Sequence, residues 1–116
     1  MRKITEQAVK KFLNMENFSN SNTKVYHTPG LVELLLHWNV IADYWINDWV
    51  IEIKDGWHQT DTTKERINWL LLKLWWGHVF QKQWIWYYQD EHWKVRPFGM
   101  WIARSILSTN KWNYNE

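Results

Sequence analysis

The residues best equipped for chemistry form one run, Thr60-Asp61-Thr62-Thr63-Lys64-Glu65-Arg66-Ile67-Asn68. At the start of a helix, its hydroxyls, Lys64 and Arg66 would surround free backbone amides with donors and positive charge. That set suits a phosphate or another anion. Part of the run has a plainer reading: Thr62-x-x-Glu65 matches a capping box, and Ile67 belongs to an apolar stripe. Trp57, Thr60, Lys64, Arg66 and Asn68 are what capping and packing leave over. Together with Lys82 they form the candidate binding set. Lys64 and Arg66 would contact phosphates, and Trp57 would stack on a base or shape the pocket. Gly56 alone does not make a phosphate-cradling loop.

A second constellation interleaves aromatics with bases: Trp57, Trp84, Trp86, Tyr87 and Tyr88, with Lys82, Lys94 and Arg96 nearby. Such a pattern can stack nucleobases, and the alternate rings of a hairpin can equally be core. The histidines, His27, His37, His58, His78 and His92, show no metal-ligand spacing, so no metal and no cofactor is expected. His58 and Asp61 could act as an acid–base pair, with His37 orienting a substrate. A nucleophilic cysteine is excluded, because the chain has none, and no Gly-x-Ser-x-Gly elbow occurs. No residue is assigned as catalytic.

These side chains need a scaffold. Residues 5–14 predict an amphipathic helix with Ile4, Ala8, Val9, Phe12 and Leu13 on one stripe and Thr5 as its cap. Residues 14–23 are polar and read as a loop. Strand patterns follow at 23–27, 31–37, 40–45 and 49–54, with short links that favour an antiparallel meander. Ile67, Leu70, Leu71 and Leu74 place one face of a second helix, starting at Asp61 or Thr62, on that sheet. His78–Lys82 and Ile85–Tyr88 read as a hairpin, and Pro97 to Met100 as a turn or edge element. The expected fold is α+β: an N-terminal helix, a four-strand antiparallel meander, one amphipathic helix packed on the sheet and a C-terminal β-hairpin. It would form a single domain over residues 1–107, with a polar tail over 108–116.

With 116 residues the chain is long enough for a sizeable core. A net charge of +2 does not by itself argue for nucleic acid or membrane. No apolar run approaches a membrane span, no secretion signal opens the sequence, and the absence of cysteine suits a reducing cytoplasm. Composition has one anomaly: 12 tryptophans against 4 glycines. Several tryptophans occupy slots where turn chemistry asks for glycine: Trp49 after Asn47-Asp48, Trp75-Trp76 after the second helix, Trp84 between the hairpin strands, Trp93 in a connector. Two readings are open. The protein is Trp-rich by nature, or a UGA codon stands for glycine in its source.

Asn22-Thr23-x-Val25, Leu36-His37-Trp38-Asn39-x-Ile41-Ala42, the segment from Gly56 to Asn68, Val79-Phe80-Gln81-Lys82 and Trp86-Tyr87 resemble a family of small tailed-bacteriophage proteins over residues 20 to about 100. That family's pattern is Leu-His-Gly-Asn-x-Ile-Ala, followed by Gly-Trp-x-Thr-x-Thr-Thr-Lys-x-Arg-Leu-Asn. Trp38 departs from it at a glycine and Trp69 at a small residue. The resemblance implies a phage protein, made in the cytoplasm of an infected host, and carries no activity. The expected function is therefore an accessory protein that acts by binding, with nucleic acid the first partner. The alternative is a module that binds a host or phage protein or self-associates into a homo-oligomer. A small metal-independent hydrolase is the third reading, and no membrane role is expected.

Overall fold

The computed structural model of the chain describes residues 2–99 and 101–107. The expected polar tail, 108–116, lies outside the described residues, as does Met100. Helix α1 spans Arg2–Leu13 and α2 spans Asp61–Leu74. The strands are β1 (Phe18–Asn20), β2 (Thr23–Thr28), β3 (Leu31–Leu36), β4 (Asn39–Trp45), β5 (Val50–Lys54), β6 (His78–Lys82), β7 (Ile85–Gln89), β8 (Val95–Pro97) and β9 (Trp101–Ser105). Among the described residues no helix is long and apolar enough to cross a membrane.

The α+β class and the antiparallel pairing of β2 to β5 agree with the sequence. The extent of the sheets does not. The meander is the middle of a six-stranded sheet in the order β1-β2-β3-β4-β5-β9, and β6-β7-β8 make a separate three-stranded sheet. Polar β1 falls in the expected loop because it contributes backbone pairing to β2 rather than side chains to the core. The β9 strand pairs with β5 from about fifty residues downstream, a partnership that local pattern does not encode. Pro97 ends β8 at an edge, where a missing N–H is tolerated.

Register explains the core. Val25, Leu34, Ala42, Ile53 and Ile102 lie in one row across the large sheet, each at most 3% exposed. They join one cluster with Ala8, Val9 and Phe12 of α1 and Ile67, Leu70 and Leu71 of α2. Burying each large aliphatic of this kind stabilises by roughly 1.5–3 kcal/mol. Thr5 does not cap α1. It lies inside the helix, fully buried, and its hydroxyl donates to Glu65 Oε1 at 3.0 Å.

The opposite face carries Glu33, Asp43 and Glu52 side by side across β3, β4 and β5. Asp43 is 3% exposed. Its Oδ2 accepts from Lys54 Nζ at 2.7 Å, and its Oδ1 has no hydrogen-bond partner among the described residues. Burial, then the neighbouring Asp43 charge, raises the Glu33 carboxyl above its ordinary value. Replacing Glu33→Gln removes that repulsion and offers a donor to Asp43. Urea unfolding at neutral pH should show a gain of about 1 kcal/mol.

Arg104 of β9 links the two sheets. Its Nη1 and Nη2 donate to the Glu91 carboxylate at 2.6 and 2.7 Å, and Nη1 also reaches the Tyr88 hydroxyl at 3.2 Å. Its guanidinium lies 4.8 Å from the Trp76 ring centre, and the Tyr88 hydroxyl donates to the Trp76 carbonyl. The bonds from Arg104 hold the Glu91 carboxyl below the ordinary 4.5. A depressed carboxyl stabilises the fold above that ordinary value and loses its contribution as pH falls through the folded one. Glu91→Gln should thus cost about 1.5–3 kcal/mol at pH 7, with the gap to the parent narrowing in urea titrations as the pH is taken below the ordinary 4.5.

Candidate functional site

The first turn of α2 is where the sequence places most of the binding set, and there the fold uses much of it. Thr60, not Thr62, is the N-cap: it is extended, and its Oγ1 accepts from the Thr63 amide at 3.2 Å. The Thr63 hydroxyl lies 3.0 Å from the Thr60 hydroxyl, so the cap is one threonine pair. Glu65 is therefore free of capping and turns to α1, accepting from Thr5 and from Arg66 Nη1, the latter at 2.9 Å.

Arg66 is 1% exposed. Its Nε and Nη2 donate to the Thr23 hydroxyl at 3.3 and 3.1 Å, and Nη1 donates to the Thr5 hydroxyl. Burial pushes the guanidinium below its ordinary value, and Glu65 opposes the shift. A side chain held in this way inside the fold does not reach a phosphate outside it. Asn68 is engaged too: its amide donates to the Val79 carbonyl at 2.9 Å and accepts from the Val79 N–H at 2.7 Å, pinning β6 to α2. Lys64 stays partly exposed, 3.7 Å from Asp61, and Trp57 is 76% exposed. Lys82 is exposed on β6, a separate element.

A cleft of about 340 Å³ opens beside this helix start, lined in part by His37, Asn39, Asp55, His58, Thr60 and Thr62. Neither Lys64 nor Arg66 lines it. The Asp55 carboxylate is held there by the Trp57 amide at 2.8 Å and Gln59 Nε2 at 3.1 Å. A fixed carboxylate at the wall disfavours an anion. Asp61 does not line the cleft either, and its side chain is 98% exposed, so His58 and Asp61 do not converge in it. Among the described residues no three His, Cys, Asp or Glu side chains gather as metal ligands.

The small sheet divides the interleaved aromatics by strand parity. Val79, Trp86 and Tyr88 face inward, each 2% exposed. Tyr88 also bears the Arg96 guanidinium at 5.5 Å from its ring. The outer face carries His78, Phe80 and Lys82 of β6, Ile85, Tyr87 and Gln89 of β7, and Val95 and Pro97 of β8. Phe80 and Tyr87 are direct cross-strand partners with ring centres 5.6 Å apart and planes at 24°. His78 lies 5.7 Å from Phe80. None of these eight residues is acidic. Phe80 escapes the sequence reading because its partner follows from the hairpin register. The signal lay in the two-residue link Gln83-Trp84, which sets that register.

The sequence model of the Kyanoviridae Gp96 protein family matches residues 1–106. No curated protein and no solved structure matches the chain.

The division of labour in α2 has a direct test in urea unfolding. Arg66→Ala takes the guanidinium away from the buried Thr5 and Thr23 and the half-buried Glu65 and should cost about 3–5 kcal/mol. Lys64→Ala, at the surface, should stay within about 0.5 kcal/mol of the parent.

Proposed function

The chain belongs to the Kyanoviridae Gp96 family of phage proteins, and we propose that it acts there by binding single-stranded nucleic acid on the outer face of β6, β7 and β8. One observation carries this reading: the paired Phe80 and Tyr87 rings, both half-buried, lie on a sheet face whose described residues carry no carboxylate. Unstacked bases bind aromatic platforms of this kind whatever their sequence, at about 1–3 kcal/mol per base. Lys82 at the end of the same strand supplies charge for a phosphate, and His78 extends the ring row at the other end. Arg96 of β8 pairs with Tyr88 and so lies on the opposite face, outside this surface. Of the residues singled out from sequence, Lys82 and Tyr87 enter this interface.

Ile85 and Val95, 50% and 51% exposed on the same face, favour a second reading in which the face docks a protein or a second copy of the chain. Fluorescence anisotropy with a labelled oligothymidine at low salt separates the two. Phe80→Ala and Tyr87→Ala should each weaken binding about five- to a hundredfold. Lys82→Ala should flatten the salt dependence by about 0.7 in logarithmic slope. Absence of binding at low salt, or binding indifferent to Phe80 and Tyr87, contradicts the nucleic-acid reading. Concentration-dependent dimerisation without oligonucleotide binding supports the second.

A further inference from the structure

Among the described residues the backbone separates the tryptophans into two populations. Trp38, Trp49, Trp57, Trp75, Trp84 and Trp93 all have positive φ, between 59° and 70°. All four glycines also have positive φ. For a side chain other than glycine this left-handed region is disfavoured by about five- to thirtyfold in equilibrium population. A bulky indole is among the last residues expected there.

Each of the six occupies a place with its own demand for glycine. Trp38 and Trp84 are the second residues of the two-residue links β3–β4 and β6–β7. They follow His37 and Gln83, which are also left-handed, and this is the turn that favours Asn-Gly. Trp75 ends α2 with its N–H on Leu72 O at 3.2 Å and the next amide on Leu71 O at 3.1 Å, a Schellman-type closure whose left-handed residue is usually glycine. Trp49 ends the short 3-10 turn Ile46–Asp48 in the left-handed region, its N–H on Ile46 O at 3.4 Å. Trp93 turns the β7–β8 link, its amide on Asp90 O at 3.1 Å, and Trp57 directly follows left-handed Gly56. Their side chains are 49% to 88% exposed; of the tryptophans that lack positive φ, Trp76 and Trp86 are 0% and 2% exposed and packed in the core, while Trp45 and Trp101, on strands, are 38% and 56% exposed, so φ and not exposure sets the six apart. The backbone at these six places is shaped for glycine, and the indoles project from it into solvent.

We infer that the native protein carries glycine at positions 38, 49, 57, 75, 84 and 93, and tryptophan at 76 and 86. It follows that the cell which makes this phage protein reads UGA as glycine, through a glycine-charged tRNA that recognises that codon. The inference is independent of the nucleic-acid reading: it removes Trp57 and Trp84 as stacking rings and leaves Phe80 and Tyr87 untouched. Trp69, inside α2, is not among the left-handed residues and keeps a helical backbone that makes no demand for glycine.

Peptide mass spectrometry of the protein purified from infected native cells tests this directly. Glycine at the six positions with tryptophan at 76 and 86 is the expected result; tryptophan at any of the six overturns it for this chain. A second measurement uses the full chain made recombinantly. Replacing all six by glycine should lower the unfolding equilibrium constant about fivefold per site, roughly additively for sites this dispersed. The control Trp76→Gly with Trp86→Gly should raise it. A six-glycine chain less stable than the parent contradicts the inference.

Discussion

The buried guanidinium of Arg66 is the constraint around which the fold is arranged. A charge in the interior is costly unless its donors are met. Here they are met by Thr5 of α1, Thr23 at the start of β2 and Glu65 beside it on α2. Those contacts fix both helices against the first long strand. The network continues outward: the Thr23 hydroxyl donates to Asn22 Oδ1 at 2.9 Å, and Asn22 Nδ2 lies 3.3 Å from His37 Nε2. The turn before β2 is thereby tied to the turn after β3. A half-turn along α2, Asn68 holds Val79 by two hydrogen bonds and so places the small sheet.

That account also shows what was legible in the sequence. Alternation in β5 and the i, i+3, i+4, i+7 stripe of α2 identify their elements because periodicity reports a half-buried face. The middle four strands, both helices and the hairpin follow from such local patterns. The β1 and β9 strands do not, since one contributes backbone alone and the other finds its partner far along the chain. The same limit governed the site. Thr60, Arg66 and Asn68 read as surplus polar groups in a helix because their partners lie elsewhere in the chain or form a cap shifted by two residues. Conversely, Phe80 and Tyr87 were separated from Trp86 and Tyr88 only by strand parity, which turns on a two-residue link.

Electrostatics then separates the two candidate surfaces. The cleft beside α2 has depth, but Asp55 is fixed in its wall and the basic residues of the helix point elsewhere. The outer face of the small sheet combines two stacked rings with Lys82, and its described residues include no carboxylate. Aromatic and tolerant of sequence is the character expected of a single-strand platform. The proposed binding surface is therefore the small sheet, which α2 positions, and not the start of α2, whose polar groups the fold consumes.

Amide chemical-shift mapping of the isotope-labelled chain against a short oligothymidine tests that move most directly. The account predicts perturbations concentrated at His78, Phe80, Lys82 and Tyr87, with the Thr60 to Lys64 amides unmoved. Shifts confined to Thr60–Lys64 and His58 would contradict it.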